Sequence, residues 1–246
     1  MRLFYPFLIA LQFLTRLPVR LPGVPEARLV GRSLLYYPLV GLVLGSVLAA
    51  LNWTLGKAPG LLHTALLLAA WVLLTGALHL DGLADSADAW VGGLGDRERT
   101  LAIMKDPYCG PTAVVTLMVV LLIKFAALDS LGPNDWRTLL LVPTLARGTI
   151  PLLFLTTPYV RPGGLGSSLA AHLPRTASMA VIVATGVIVL LAAGMKGFWL
   201  LLTTAGVFLL LRALMIRRLG GTTGDTAGAL VEVTEVTVLL ATGLVY

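Results

Sequence analysis

The chain has 246 residues, of which 57% are hydrophobic and only 12% are charged. Its mean hydropathy is +0.91, and a soluble domain of that composition could not cover its surface with polar groups. The composition therefore excludes a soluble enzyme and indicates a membrane protein. The net charge of +6 does not indicate a nucleic-acid partner, because the basic residues form no helix face interleaved with aromatic residues.

Apolar segments recur along the chain, each near the roughly 20 residues that a helix needs to cross a bilayer. They lie at about residues 34–55, 61–80, 112–131, 138–157, 177–195, 198–215 and 229–245. We therefore predict an all-α fold, a polytopic membrane helical bundle with about six or seven transmembrane helices. The apolar segment Met1–Leu17 contains Arg2 and Arg16 and lacks a signal-peptide cleavage pattern, so we expect a retained interfacial or re-entrant helix there.

The distribution of positive charge predicts the orientation of this bundle. If the N-terminus is cytoplasmic, most Lys and Arg residues fall in or beside the cytoplasmic segments, as the positive-inside rule requires. Four other cations then lie at helix ends on the opposite face: Lys57, Lys124, Arg137 and Lys196. No repeat or long linker divides the chain, so we predict one integral membrane domain over residues 1–246.

Three carboxylates follow the second predicted span at spacings of four and three residues: Asp81, Asp85 and Asp88. At about 100° per residue they fall within roughly 60° of one helix face. Oxygen ligands in this arrangement suit Mg²⁺, with Mn²⁺ as the alternative. A helix end that is merely wet would also tolerate these acids. His79 precedes them and has three open roles, which are to orient a ligand, to accept a proton or to lie at the interface.

A glycine-rich segment precedes the last predicted span. Gly221, Thr223 and Gly224 lie in it, where backbone N–H groups near a helix N-terminus can approach phosphate oxygens. Asp225 and Glu232 follow at a spacing of seven residues and share a helix face. They therefore become candidate ligands for the same ion. The alternative is an ordinary turn before a helix that is capped by Thr or Asp.

Four cations are candidates for binding an anionic substrate: Arg16, Lys105, Arg147 and Arg161. Arg can bind phosphate oxygens through two parallel hydrogen bonds. Arg147 lies within an apolar span and needs a partner there. Taken alone, each Arg is more often an interfacial anchor than a phosphate ligand.

Metal-bound carboxylates beside a phosphate-binding loop fit transfer across a nucleotide-activated phosphoanhydride. CDP-alcohol phosphotransferases have a comparable Asp-rich helix, but their motif requires Arg where this chain has Asp85. A cation or proton transporter is the alternative from another class. Its acids should lie at the membrane midplane in repeated, broken helices, whereas these acids gather on one predicted face. A non-catalytic scaffold would explain the spans but not the clustered polar residues.

Several segments resemble the cobalamin synthase family along most of the chain: Phe13–Pro18, Tyr37–Gly41, His79–Asp88, Ile103–Asp106 and Gly220–Glu235. The resemblance implies an adenosylcobinamide-GDP ribazoletransferase of vitamin B12 biosynthesis. Such an enzyme joins adenosylcobinamide-GDP to α-ribazole or α-ribazole 5′-phosphate. The products are adenosylcobalamin or its 5′-phosphate, and GMP.

The resemblance also implies roles for residues of this chain. Asp81, Asp85 and Asp88 become catalytic residues and magnesium ligands, and Asp225 and Glu232 become further ligands. Lys105 and Arg16 would then hold diphosphate oxygens, and one of the aspartates takes the proton of the attacking hydroxyl. The implied location is the inner membrane, with the active site facing the cytoplasm.

Two positions depart from the family pattern. Ala89 stands where Gly is common, and Pro107 replaces a small polar residue. Neither departure removes a charged ligand. The implied partners are the two substrates and the lipid bilayer, without nucleic acid. The resemblance leaves open a homo-oligomer and association with other enzymes of the cobalamin pathway.

Overall fold

The computed structural model describes residues 4–56, 58–131, 135–163 and 165–245. Within these ranges the chain is helical and forms no strand. Arg2 and Lys57, which entered the predictions above, lie outside them. The helices are α1 (Tyr5–Leu14), α2 (Ala27–Ser33), α3 (Tyr37–Thr54), α4 (Gly60–Thr75), α5 (Leu78–Gly92), α6 (Arg97–Ile103), α7 (Pro111–Asp129), α8 (Trp136–Thr156), α9 (Leu165–Ala171), α10 (Arg175–Leu219) and α11 (Gly224–Val245).

Five helical segments are long and apolar enough to cross a membrane, and the bent pair α4–α5 makes a sixth. This confirms the predicted polytopic helical bundle. The N-terminal helix α1 has 10 residues, about half of the length that a span requires. It is therefore too short to be a further span, and an interfacial or re-entrant position for it stays a prediction.

Helix α10 is 45 residues long and would extend about 67 Å if it were straight, twice the thickness of the hydrocarbon core. It is not straight, because Gly194 has φ 55° and ψ −127°. A Cβ at Gly197 would lie 2.5 Å from the carbonyl oxygen of Val189, although eight residues of straight helix span about 12 Å. Helix α10 is therefore a hairpin, with antiparallel arms at residues 175–193 and 195–219.

Hydrogen bonds to the end of α8 confirm this hairpin. Arg175 Nη2 donates to the carbonyl oxygen of Leu155 at 3.0 Å, and Arg212 Nη2 donates to that of Thr156 at 2.6 Å. A straight helix could not bring two residues so far apart in sequence to one place. The predicted spans 177–195 and 198–215 are thus separate, and the six candidate spans become seven.

The second predicted span, residues 61–80, was too long at its C-terminal end. Helix α4 stops at a left-handed turn in which Gly76 has φ 62° and Ala77 has φ 58°. Their N–H groups donate to the carbonyls of Leu73 and Val72 at 3.1 Å, the hydrogen-bond pattern of a Schellman cap. Helix α5 then leaves at 86° to α4. Hydropathy does not reveal this break, because the residues on both sides are apolar.

The centre of the bundle is the contact between α3 and α8. Leu44 and Leu48 of α3 belong to one buried apolar cluster with Leu139 and Val142 of α8. A second buried cluster joins α1, α3, α8 and α11 toward the end of the bundle where α5 begins. The start of α5 therefore packs, through Leu78, against this apolar cluster.

Four charged side chains meet inside the bundle, at most 2% exposed: Lys124 of α7, Arg147 of α8, and Glu232 and Glu235 of α11. Lys124 Nζ donates to Glu232 at 3.1 Å and also to Glu235. Arg147 Nη1 donates to Glu235 at 2.7 Å. Two cations and two anions leave this buried charge group neutral. The mutual pairing offsets the cost of removing four charges from water.

The prediction that Lys124 lies at a helix end on the opposite face was wrong. Lys124 is 1% exposed and lies within α7, with its ammonium group 4.4 Å from the centre of the Trp71 ring. In the sequence, a lysine usually indicates the end of an apolar span. Here, Glu232 and Glu235 of α11, which is far from α7 in sequence, pair with Lys124 and offset the cost of burying its charge. Arg147 lies within a span as predicted, and its partner is Glu235.

The buried charge group predicts a large stability difference between two lysine substitutions. Lys124→Met leaves two buried carboxylates with one cation and should lower the free energy of unfolding by about 3–5 kcal/mol. Lys196→Met breaks a partly exposed pair with Asp135 and should cost about 0–1 kcal/mol. Thermal unfolding of both variants in detergent measures the difference. Equal losses would show that the buried group is not a main source of stability.

Candidate active site

Helices α5 and α11 touch through small residues. A Cβ at Gly82 of α5 would lie 2.6 Å from the carbonyl oxygen of Asp225 on α11. Less than one turn further along, Gly228 lies within contact distance of the His79 backbone. Small residues at such contacts let helix backbones approach closely in membrane bundles. The approach places Asp81, next to Gly82, on the same side as Asp225.

Asp81 and Asp225 line one cavity of about 470 Å³, which we call the aspartate cavity. Tyr159, Arg161 and Gly224 also line it. The remaining wall is largely apolar and comes from α1, α3, α8 and α9. The cavity thus combines carboxylates, a guanidinium and a phenol at the end of the bundle where α11 begins.

The loop after α8 is fixed to the glycine-rich segment. The N–H of Val160 donates to Thr222 at 2.9 Å, and the N–H of Thr222 donates to Pro158 at 2.8 Å. This pairing turns Arg161 toward α11, where its Nη1 donates to Asp225 Oδ2 at 2.7 Å. The arginine is 28% exposed, so its other N–H groups remain open to a ligand.

The predicted phosphate-binding loop has only one member at the cavity. Gly224 is exposed and lines it, with no atom near its missing Cβ. Gly221 is buried against the carbonyl of Pro158. Thr223 is buried, and its Oγ1 accepts from the N–H of Thr226 at 3.2 Å, which is an N-cap of α11. The alternative of a Thr-capped turn therefore describes Thr223 correctly.

The three aspartates of α5 have different surroundings. Asp81 is exposed in the cavity, and Asp85 is half-buried within electrostatic reach of Asp81 and Asp225. Asp88 accepts from the N–H of Gly110 at 2.6 Å and from that of Ala113 at 2.9 Å. Asp88 therefore binds the N-terminus of α7. Because a carboxylate has about four lone-pair positions, Asp88 keeps oxygen sites to spare.

Other predicted site residues lie elsewhere. Glu232 and Arg147 belong to the buried charge group and do not line the aspartate cavity. Lys105 is exposed just after α6. Its neighbour Met104 contacts Thr223, which brings that segment close to the start of α11. Arg16 lies against Gly76 and lines a neighbouring cavity.

His79 is buried and lines the aspartate cavity. Its Nδ1 has no hydrogen-bond partner among the side chains that the structure describes. The ring therefore lies inside the bundle beside the aspartate cavity, and the three roles left open by the sequence stay predictions.

Tyr159 was not predicted as a site residue. Its ring stacks on Phe154 at 5.8 Å, and burial raises the pKa of its hydroxyl above the usual value. The hydroxyl is therefore a neutral donor at physiological pH. An aromatic residue at a helix end usually indicates the membrane interface. Only the pairing between Val160 and Thr222 turns this one inward, so no local signal marks it.

Comparison with known proteins identifies the family. The profile of the Cobalamin-5-phosphate synthase family matches residues 6–243, nearly the whole chain. The chain belongs to this family. The resemblance seen in separate sequence segments is thereby confirmed. No solved structure matches the chain.

Relatives of this synthase family in Pseudomonas are similar over their full length. A protein of Pseudomonas fluorescens strain Pf-5, named adenosylcobinamide-GDP ribazoletransferase, is 60% identical over 240 residues, which cover 97% of this chain and 99% of the relative. The protein of the same name from Pseudomonas syringae pv. syringae strain B728a is 59% identical over 240 residues, with the same coverage. That from Pseudomonas entomophila strain L48 is 58% identical over 242 residues, covering 97% and 98%.

The donor set of this chain suits a divalent ion that binds together with phosphate. In the described part of the chain, no three His, Cys, Asp or Glu side chains are placed to enclose an ion. Mg²⁺ usually keeps several waters and binds through one or two carboxylates plus substrate phosphates. Asp81 and Asp225 offer two carboxylates to one cavity, with Asp85 beside them. The residues present therefore fit an ion that binds through two carboxylates and substrate phosphates.

The contact between α5 and α11 predicts the effect of one added methyl group. Gly82→Ala should push the helices apart and lower cobalamin 5-phosphate formation about a hundredfold, the scale expected for a displacement of about 1 Å at an active site. Gly206→Ala is the matched control, because no atom lies within 4 Å of the Cβ position at Gly206. Initial rates of both purified variants provide the comparison. Full activity in Gly82→Ala would contradict the helix contact.

Proposed function

We propose that the chain is an adenosylcobinamide-GDP ribazoletransferase that joins adenosylcobinamide-GDP to ribazole and releases GMP. One observation carries the proposal. In a chain 60% identical to a relative with this name, Asp81 and Asp225 face one cavity beside Arg161. Carboxylates and a guanidinium at one cavity suit chemistry at a diphosphate.

The reaction is a phosphoryl transfer. A ribose hydroxyl of ribazole forms a new bond to the phosphorus on the cobinamide side of the diphosphate. The bond between that phosphorus and the bridging oxygen breaks, and GMP leaves with the bridging oxygen. The hydroxyl proton passes to a carboxylate and then to water. Catalysis of this kind depends on positioning and on stabilising negative charge.

We assign the proton acceptor and the cation-binding groups to the acidic side chains of α5 and α11. Asp81 is exposed in the cavity and can take the hydroxyl proton. Asp81 and Asp225 would hold Mg²⁺ together with phosphate oxygens of the substrate, Asp85 and Asp88 would add negative charge beside them, and the ion would offset charge on the diphosphate. Glu232, which pairs with Lys124, is left out of this set.

The groups that hold the diphosphate come from the surrounding loops. Arg161 uses one nitrogen on Asp225 and keeps other donors for phosphate oxygens. The neutral hydroxyl of Tyr159 adds a donor. The N–H of Gly224 approaches the Tyr159 hydroxyl at the start of a 22-residue helix, and the positive end of that helix favours phosphate beside it. Lys105, exposed on the neighbouring segment, supplies a further positive charge.

We also propose that the site faces the cytoplasm in the inner membrane. The end of the bundle that carries the aspartate cavity also carries most of the arginines. Examples are Arg97, whose Nε donates to Leu219 at 2.7 Å, and Arg218, whose Nη2 donates to Trp90 at 2.7 Å. Positive charge on that side agrees with a cytoplasmic face. A nucleotide-activated substrate would then reach the site without crossing the membrane.

Ion transport is the weaker alternative. Its support would be the buried charge group within the bundle, because ionisable residues inside a membrane often mark ion pathways. However, Lys124, Arg147, Glu232 and Glu235 pair with one another and do not line the aspartate cavity. Mutual pairing indicates a structural role.

The test is reconstitution of the purified protein in lipid with adenosylcobinamide-GDP, α-ribazole 5′-phosphate and Mg²⁺. We expect GMP and the coupled corrinoid in equal amounts by mass spectrometry, and loss of both with EDTA. Asp81→Asn and Asp225→Asn should each reduce turnover at least about a thousandfold. Asp129→Asn, at the other end of α7, should retain it because Thr64 can still donate to the new amide oxygen.

Folded parent protein that binds both substrates without forming GMP would refute the proposed reaction. Parental turnover in Asp81→Asn would refute the role of the aspartate cavity, even if the reaction itself is observed.

A further inference from the structure

A second cavity adjoins the aspartate cavity. It has a volume of about 520 Å³ and lies between α1, α2 and the start of α3; we call it the α1–α2 cavity. Phe13, Tyr37, Leu78 and Leu169 line both cavities. The two cavities therefore meet at these shared side chains, so that a ligand filling the α1–α2 cavity ends beside the aspartate cavity.

The two cavities differ in chemistry. The aspartate cavity contains two carboxylates and a guanidinium. Around the α1–α2 cavity, Arg16 is the only charged side chain among the lining residues that the structure describes. The rest of its lining is mainly aliphatic and aromatic, with a few hydroxyl and amide groups. A cavity of this kind favours a flat, neutral, apolar group with few hydrogen-bonding atoms.

The two substrates of the proposed reaction also differ, since one is small and mainly aromatic and the other is large and carries a charged diphosphate. Ribazole consists of one ribose and one two-ring aromatic base, a compound that cavities of roughly 300–1,000 Å³ can enclose. Adenosylcobinamide-GDP carries a metal-containing macrocycle, an adenosyl group and a charged diphosphate. Its macrocycle is too large for either cavity, and its diphosphate requires the groups of the aspartate cavity.

Building on the proposed function, we propose that the α1–α2 cavity is the acceptor subsite and binds ribazole through its aromatic base. Tyr37, which is 2% exposed, and Phe13 form aromatic walls where the two cavities meet. Aromatic side chains hold a planar base through stacked or edge contacts. In this position the ribose lies at the shared wall, and its hydroxyl faces Asp81 across Leu78.

Arg16 supplies the charge preference of this subsite. Its side chain is exposed and crosses the break between α4 and α5, against the backbone of Gly76. It lines the α1–α2 cavity and not the aspartate cavity. We therefore assign Arg16 to the 5′-phosphate of the acceptor, in place of the diphosphate expected from the sequence.

Steady-state kinetics with each substrate varied in turn test this subsite. Ala27→Trp places a large ring at an exposed position that lines the α1–α2 cavity. It should raise the KM for α-ribazole 5′-phosphate about tenfold or more, with the KM for adenosylcobinamide-GDP unchanged. Glu26→Trp is the matched control, because Glu26 is the exposed residue next to Ala27 and does not line the cavity.

The phosphate assignment has its own test. Arg16→Gln should raise the KM for α-ribazole 5′-phosphate about tenfold, the scale of one charge-assisted contact, and leave the KM for α-ribazole unchanged. Arg16→Lys should recover part of the loss. Equal increases for both acceptors, or an increase in the KM for adenosylcobinamide-GDP instead, would overturn the assignment.

Binding measurements separate this inference from the proposed function. Titration calorimetry with α-ribazole 5′-phosphate alone does not depend on turnover. If the parent protein binds it, Ala27→Trp does not, and no GMP forms, then the subsite stands and the reaction fails. If turnover is normal and both tryptophan variants have the parental acceptor KM, then the reaction stands and the subsite is refuted.

Discussion

The pairing of Lys124 and Arg147 with Glu232 and Glu235 is the interaction on which the position of the site depends. It ties α7 and α8 to α11 inside the bundle, where an unpaired charge is strongly unfavourable. The three helices therefore have one favourable register along their axes. Asp225 lies seven residues before Glu232, about 10 Å along α11. The buried charge group thereby sets the depth of Asp225.

The position of α11 determines the position of α5, and these two helices position the loops around the site. Gly82 lets α5 lie directly on α11, and Asp88 holds the start of α7 through two backbone N–H groups. Thr223 caps α11. Several residues that the sequence suggested as site residues, such as Asp88 and Thr223, therefore hold the helices in place. Fewer polar groups face the aspartate cavity than the sequence suggested. They come from α5, from α11 and from the loop after α8.

The sequence predicts the bundle well because membrane spans are set by local composition. It also places the aspartates on one helix, since their spacing matches the helical period. It does not reveal that Glu232 binds Lys124 or that Tyr159 turns inward, because both depend on residues about 60 to 110 positions away. The end of α4 at Gly76 is hidden for another reason. Apolar residues flank it, so hydropathy continues across a right-angle bend.

The hairpin form of α10 has a consequence for how the chain enters the membrane. Its arms meet at Gly194 without an intervening polar loop, and both of its ends lie beside the end of α8. The pair can therefore insert as one unit from a single side, because Lys196, which pairs with Asp135, is the one charged residue that has to be translocated between the arms. The hairpin is also mostly unburied within the protein, so its entry need not wait for the rest of the bundle to assemble.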